Sequence, residues 1–145
     1  MTYPAGNDDF PTFGDYHCTR LLGQTSDGAV YLAYHQNDPS QQVALRSLHI
    51  AGIKLECNQH MEDIKNIHVP NLIRVLDYGN EKNTYYLVMQ YVEGDSLQRL
   101  MHKMTESPDT YPSLGEVAEL LKSVGQALSA IHEQGHAHGM IEPRN

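Results

Sequence analysis

Histidine and cysteine are the side chains best suited to hold a metal or attack a substrate, and the chain has nine of the first and two of the second. His49, His60, His68, His102, His132, His136 and His138 fall in different segments, so they do not form a ligand set. His132 and His136 are four apart, which would suit a metal pair on a helix, but Gly135 between them reads as a helix stop. Solvated or structural histidines are expected, and no metal site. Cys18 and Cys57 lie far apart and match neither a disulfide framework nor a zinc spacing. They read as half-buried thiols in a reducing compartment.

The elements that must position any chemistry follow from periodicity. Residues 1–14 are rich in Pro, Gly, Asn and Asp and read as a flexible leader. YHCTRLLG (16–23), GAVYLAYH (28–35) and VALRSLHI (43–50) read as strands, separated by the turns QTSD and QNDPSQ. The period then changes. Cys57, Met61, Ile64 and Ile67 mark one face of a helix that Pro70 would stop. NLIRVLDY (71–78) and TYYLVMQY (84–91) are two more strands around the turn GNEKN. After EGD, residues Leu97, Leu100, Met101 and Met104 make a short helical stripe. Ser113 with Glu116 forms a capping box. It opens a long helix whose stripe is Val117, Leu120, Leu121, Val124, Leu128 and Ile131, with Gly135 as its C-terminal stop.

At 145 residues the chain suits one domain, and 40% hydrophobic with 19% charged residues is a globular composition. A net charge of -8 argues against nucleic acid or an anionic membrane as partner. It also weighs mildly against a polyanionic substrate, unless a local basic pocket overrides it. MTYPAGNDDF has neither the basic nor the apolar region of a signal peptide, and no apolar run approaches the ~18 residues that span a bilayer. A cytoplasmic, soluble protein is expected.

Five antiparallel strands with a helix after the third, then a short helix and a long one, carry LLGQTSDGAVYLAY, VALR, VPNLIRVLDYG, YYLVMQYVEGDSL and HGMIEPRN in that order. Together these resemble the protein kinase family of the bacterial Ser/Thr type, from about Tyr16 to Asn145. The resemblance implies an α+β fold. Residues 15–92 would be a kinase-like N-lobe, a five-stranded antiparallel sheet with one helix. Residues 93–145 would be the hinge and the first helices of a C-lobe. The family's DFG segment, activation loop and later helices have no counterpart in the sequence.

By the same resemblance, the nucleotide site would be built from Leu22, Gly23, Gly28, Val30, Ala44, Arg46, Met89, Gln90 and Val92. The family's G-x-G-x-x-G loop lets backbone amides approach phosphates. Gly23 and Gly28 keep its outer positions, Thr25 takes the middle one, and Asp27 sits at the tip, where its carboxylate would oppose triphosphate charge. Two readings stay open: a loop that accepts adenine and ribose but disfavours phosphate, or a plain β-hairpin, which is preferred. Arg46 replaces the phosphate-gripping lysine and could still hold an anion. Its partner position on the helix falls on His60, with Glu56 one turn earlier as a substitute. Met89 would be the gatekeeper. The backbone of Gln90 and Val92 would meet adenine, beneath a ceiling of Leu22, Val30 and Ala44.

HGMIEPRN resembles the catalytic loop H-R-D-L-K-P-E-N. His138, Pro143 and Asn145 match. Gly139 replaces the arginine, Met140 the aspartate that handles the substrate hydroxyl, and Glu142 the lysine. Asn145 could ligate Mg²⁺, but alone it makes no site. No catalytic and no metal residue is therefore assigned. The expected function is that of a pseudokinase: a catalytically inactive regulatory or protein-interaction module with at most residual ATP binding and no firm Mg²⁺ requirement. A nucleotide sensor that holds ATP without metal is a second reading. The alternative is the N-terminal part of a Ser/Thr kinase, active when missing segments or another chain complete it. The family's later helices cover the long helix, so the stripe of the 113–134 helix is expected to be exposed here. It would take a protein partner or a second copy.

Overall fold

The computed structural model describes residues 10–49, 58–107 and 111–144, with residues 58–60 described by their backbone. The chain divides into two compact units, Met1–Ile67 with Ile73–Val92, and His68–Leu72 with Glu93–Asn145.

The first unit is an antiparallel sheet with one helix. Its strands are β1 (Thr12–Phe13), β2 (Tyr16–Thr25), β3 (Gly28–His35), β4 (Asp38–Leu48), β5 (Val75–Glu81) and β6 (Thr84–Gln90), in the spatial order β1-β2-β3-β4-β6-β5. Helix α1 (Asn58–Lys65) packs on β5. The two-residue period of a strand puts alternate side chains on opposite faces. One face carries the core: Tyr16, Cys18, Ala33, Val43, Leu45 and Val88, with Leu45 and Val88 fully buried. Burial pushes the Cys18 thiol up to about 12, which keeps it protonated and unreactive.

The sheet has six strands, where five were expected. The extra one, β1, lies inside the expected leader. Phe13 holds it there by ring contacts with Tyr31 and Tyr86, at centroid distances of 6.4 and 5.8 Å. The Gly14 amide adds a 2.7 Å bond to Glu81 Oε2. These contacts are remote in sequence, so local composition gives no sign of them. Strand β4 begins at Asp38, because the QNDPSQ loop turns at Gln36–Asn37 and Pro39 then lies in an irregular stretch of strand between the pairs His35↔Asp38 and Tyr34↔Gln42. Strand β5 begins at Val75, not Asn71. Asn71 takes φ 63° and Leu72 N–H bonds back to Val69 O, which makes this stretch a turn. The GNEKN turn shrinks to Lys82–Asn83, whose φ values of 49° and 64° are those of a two-residue type I′ hairpin.

Helix α1 ends at Lys65, before Pro70. Ile67 N–H closes a tighter turn on Ile64 O, and Ile67 is buried beyond the helix end. Cys57 lies outside the described residues.

The second unit holds α2 (Leu97–Glu106) and α3 (Leu114–Glu133). Ser96 caps α2 by accepting the Arg99 amide. The predicted capping box of Ser113 and Glu116 opens α3. At its other end Gly135 takes φ +80°, with Gly135 N–H on His132 O and His136 N–H on Ile131 O, a Schellman stop. No helix among the described residues is long and apolar enough to cross a membrane.

Candidate functional site

The sheet face opposite the core collects four of the sequence-predicted site residues. Val30 pairs with Arg46, and Arg46 pairs with Leu87. In the next row Leu32 pairs with Ala44, and Ala44 with Met89. Direct cross-strand partners share a face with Cβ atoms about 4.5–5.5 Å apart. Val30, Ala44, Arg46 and Met89 therefore stand together on one apolar patch with one cation in it. Among the described residues Arg46 makes no side-chain hydrogen bond and no ion pair. The helix position His60 and the substitute Glu56 lie where side chains are not described.

Gly23 pairs with Val30, and the register slips by one residue between Leu21 and Gly23, so Leu22 is a bulge residue, 39% exposed. Bulges re-aim a side chain, and here the bulge falls on the strand end that carries the glycine turn. The turn itself is tight: Thr25 pairs with Gly28 and only Ser26–Asp27 lie outside the ladder. It is tied down at three points. Asp27 O accepts His49 N–H at 2.7 Å. Ala29 N–H donates to Ser47 Oγ at 3.1 Å, and Ser47 Oγ–H donates to Ala29 O at 3.3 Å. Ser47 is 2% exposed and is the buried polar side chain of the described residues. A Cβ on Gly28 would stand 1.9 Å from Ser47 O, whereas one on Gly23 would meet nothing within 4 Å.

Gln90 and Val92 enter through their backbone. Gln90 N–H already donates to Arg74 O at 2.9 Å, and Val92 is 60% exposed just past the strand. Gln90 also lines, with Gln41, Gln42, Arg74 and Leu76, a shallow polar groove of about 240 Å³. Arg20 Nη2 lies 3.4 Å from the Tyr91 hydroxyl.

In the second unit, His138–Arg144 comes after the Schellman stop as an irregular loop, with Gly139 at φ +75°. His138 Nδ1 accepts the Met140 amide at 3.3 Å, so the ring is turned onto its own loop. Met140 and Ile141 are each 55% exposed. Glu142 faces Arg144 at 2.6 Å. Pro143 O accepts the Gln98 amide at 2.8 Å, which ties the loop to the first turn of α2. Asp95, just before that turn, binds Lys103 at 2.5 Å and Arg99 at 3.1 Å. The Lys103 hydrogen bond, with the charges of both cations, holds its carboxyl below the usual range. Asn145 lies outside the described residues.

The expected exposed stripe of α3 is only half exposed. Leu114, Val117, Leu120 and Leu121 are open, from 37% to 89%, but Ala127 and Ile131 are buried at 6% and 3%. Val124 and Leu128 are intermediate. The stripe therefore changes character along the helix, because its C-terminal half is already packed within the chain.

Several groups were missed by sequence reasoning. Ser47 had a signal, since it occupies a core-face place in the alternation of Val43, Leu45 and Ser47. The Gln98–Pro143 bond had none, being a backbone link between distant residues.

An antiparallel sheet with a helix after its third long strand, a tight glycine turn, a hinge strand and an HxMxEP loop after the long helix define a kinase-type domain. The chain belongs to the protein kinase domain family, whose model matches residues 16–145. It is similar to the serine/threonine-protein kinase pkn2 of Myxococcus xanthus, 29% identical over 137 residues that cover 91% of this chain and 16% of that protein. It is likewise similar to the serine/threonine-protein kinase PknI of Mycobacterium tuberculosis, 29% identical over 139 residues, 92% of this chain and 23% of that one. The crystal structure of the M. tuberculosis PknI kinase domain superposes with a TM-score of 0.80 at 26% identity, covering 97% of this chain and 56% of that chain. The chain thus spans well under half of those two curated relatives and somewhat over half of the solved domain.

Proposed function

We propose that the chain is a kinase-type module without phosphoryl-transfer activity, a cytoplasmic regulatory or protein-interaction domain that retains at most an affinity for ATP. Met140 carries this reading. It stands at the catalytic-loop position where a carboxylate must meet the substrate hydroxyl, and a thioether has no proton affinity to offer there. Two further observations support it. Glu142, at the lysine position, puts a negative charge beside the reaction centre and is matched to Arg144 at 2.6 Å. Asp27, at the tip of the glycine turn, sets a carboxylate where the triphosphate charge would come. Phosphoryl transfer depends on positioning and charge neutralisation, so these losses compound.

What remains suits the adenosine end of a nucleotide. Val30, Ala44 and Met89 form the apolar wall, with Leu22 and Gly23 at its rim. Because Gln90 N–H is engaged with Arg74 O, a bound adenine would address the Gln90 carbonyl and the Val92 amide. Gly28 and Arg46 would lie towards the phosphates, and the complex would need no Mg²⁺. A protein partner, or a second copy, would use the exposed N-terminal half of α3.

A second reading has its own support: the two curated relatives are serine/threonine kinases and the chain spans only part of each. On that reading the chain binds ATP and transfers phosphate once further segments or another chain complete it. Thermal melts with ATP, ATP plus Mg²⁺ and ADP separate the two. Binding to the folded state alone adds about 2.7 kcal/mol at a hundredfold excess over Kd. The proposal expects a Mg²⁺-independent shift or none, and no label transfer from radiolabelled ATP. A Mg²⁺-dependent shift with incorporated label would overturn it. Sedimentation as a monomer with a sharp melt would remove the second copy as the partner of α3.

A further inference from the structure

The sheet face of Val30, Ala44, Arg46 and Met89 has a direction, and strand β4 sets its scale. A strand advances about 3.3 Å per residue, and every second side chain shares a face. Arg46 therefore stands about 7 Å along β4 from Ala44. Beyond it Leu48 pairs with Gly28, and the next residue, His49, gives its amide to Asp27 O at 2.7 Å. Asp27 is thus moored level with His49, about 10 Å past Arg46. It is exposed at the turn, and its Oδ1 accepts the Ser26 hydroxyl at 2.9 Å. Along β4 the order is an apolar wall at Ala44 and Met89, a cation at Arg46, then a carboxylate at Asp27.

A second cation, Arg20, does not lie on this track. It pairs with Leu32, in the row of Ala44 and Met89, so it stands level with the apolar wall. Its Nη2 lies 3.4 Å from the hydroxyl of Tyr91, just past β6 and away from the turn.

The spacing sorts anions by length. At physiological salt the screening length is about 8 Å. An anion that ends at Arg46 gains the guanidinium and lies more than that length from the moored turn. Each further phosphate laid along β4 moves away from the cation and into the field of the Asp27 carboxylate. The net charge of -8 acts in the same direction. Resting on the adenosine reading of this face, we propose that it takes a nucleoside monophosphate in preference to the triphosphate. Arg46 is the anion contact, and Asp27 is the repulsive element that turns longer phosphate chains away.

Isothermal titration calorimetry of the whole chain with adenosine, its monophosphate and its triphosphate, at equal ionic strength, tests this. The monophosphate is expected to bind at least about threefold more tightly than the triphosphate, and the gap to widen as salt is lowered. Asp27→Asn is expected to close most of the gap by tightening the triphosphate alone. Asp38→Asn makes the same change of net charge at the opposite end of β4 and is expected to leave the gap unchanged. Arg46→Gln is expected to bring the monophosphate down to the affinity of adenosine. A triphosphate that binds as tightly as the monophosphate, with or without Mg²⁺, overturns the proposal, and so does a gap that Asp27→Asn leaves unmoved. If neither adenosine nor either nucleotide binds, the adenosine reading itself falls and this proposal falls with it.

Discussion

Replacing Ser47 by alanine removes a side chain that stitches β3 to the core face of β4 beside the glycine turn. Two bonds go at once: the Ala29 amide loses its acceptor at 3.1 Å and the Ala29 carbonyl loses a donor at 3.3 Å. Ala29 is itself only 8% exposed, so water cannot easily replace the hydroxyl. A buried donor left without an acceptor costs about 1–3 kcal/mol, while the carbonyl loses less. Taking about 2 kcal/mol, and a Tm change of roughly 2–4 °C per kcal/mol at this size, the melt should fall by roughly 4–8 °C. Cysteine keeps the shape but donates and accepts weakly, so Ser47→Cys should fall between the two. Thermal and urea denaturation measure the loss, and hydrogen exchange at Ala29 localises it. Ser47 points to the core, away from Val30, Ala44 and Met89, so any stabilisation by nucleotide should survive the change. A fall of less than about 1 °C, or unchanged exchange at Ala29, would refute the reasoning.

The two loop glycines should part company in the same assay. Gly28→Ala would drive a Cβ to 1.9 Å from Ser47 O and should cost several kcal/mol, whereas Gly23→Ala meets open space and should stay within about 0.5 kcal/mol. The two halves of the α3 stripe should also separate: Ile131→Ala, at 3% exposure, is expected to cost about 2–5 kcal/mol, and Leu121→Ala, at 65%, to be near neutral. Urea titrations of both read the difference directly. At the head of α3, the Ser113 amide and hydroxyl hold the Glu116 carboxyl below its ordinary 4.5. A depressed folded value means that the cap stabilises the helix above about pH 4.5 and that this help is lost as pH falls through the folded value. Helical circular dichroism should therefore drop more steeply on acidification in the natural chain than in Glu116→Gln, which keeps a hydrogen-bonding side chain but has nothing to titrate.

The features legible in the sequence were those written within a few residues of each other. Ser113 and Glu116 announce a helix start and Gly135 its stop; the grouping of Ala44, Arg46 and Met89 rests instead on the family resemblance, because the strand register that puts them on one face joins segments far apart in the chain. The misreadings have the opposite character. Strand β1 exists because Phe13 finds Tyr31 and Tyr86, and Gly14 finds Glu81, across the width of the sheet. The start of β5 is displaced because Asn71 adopts φ 63°, which its neighbours Leu72 and Ile73 do not foretell. Ile131 is buried although it belongs to the same helical stripe as Leu121, because periodicity finds a face and says nothing of how far along it the cover extends.

The glycine turn shows that one motif can have two causes. Gly23 and Gly28 keep the outer positions of a phosphate loop, and a ligand is one reason for a glycine there. The β4 backbone is another. At Gly28 the carbonyl of Ser47 leaves no room for a Cβ, so a glycine is required there whether or not phosphate ever approaches. Gly23 has open space around it and no such requirement. Of the two, Gly23 is the position at which substitution can report on a ligand without first disturbing the sheet. A nucleotide-induced Tm shift that vanishes in Gly23→Ala, with the unliganded Tm unchanged, would trace the glycine to binding. A shift that persists would leave this turn a hairpin shaped by its own strands.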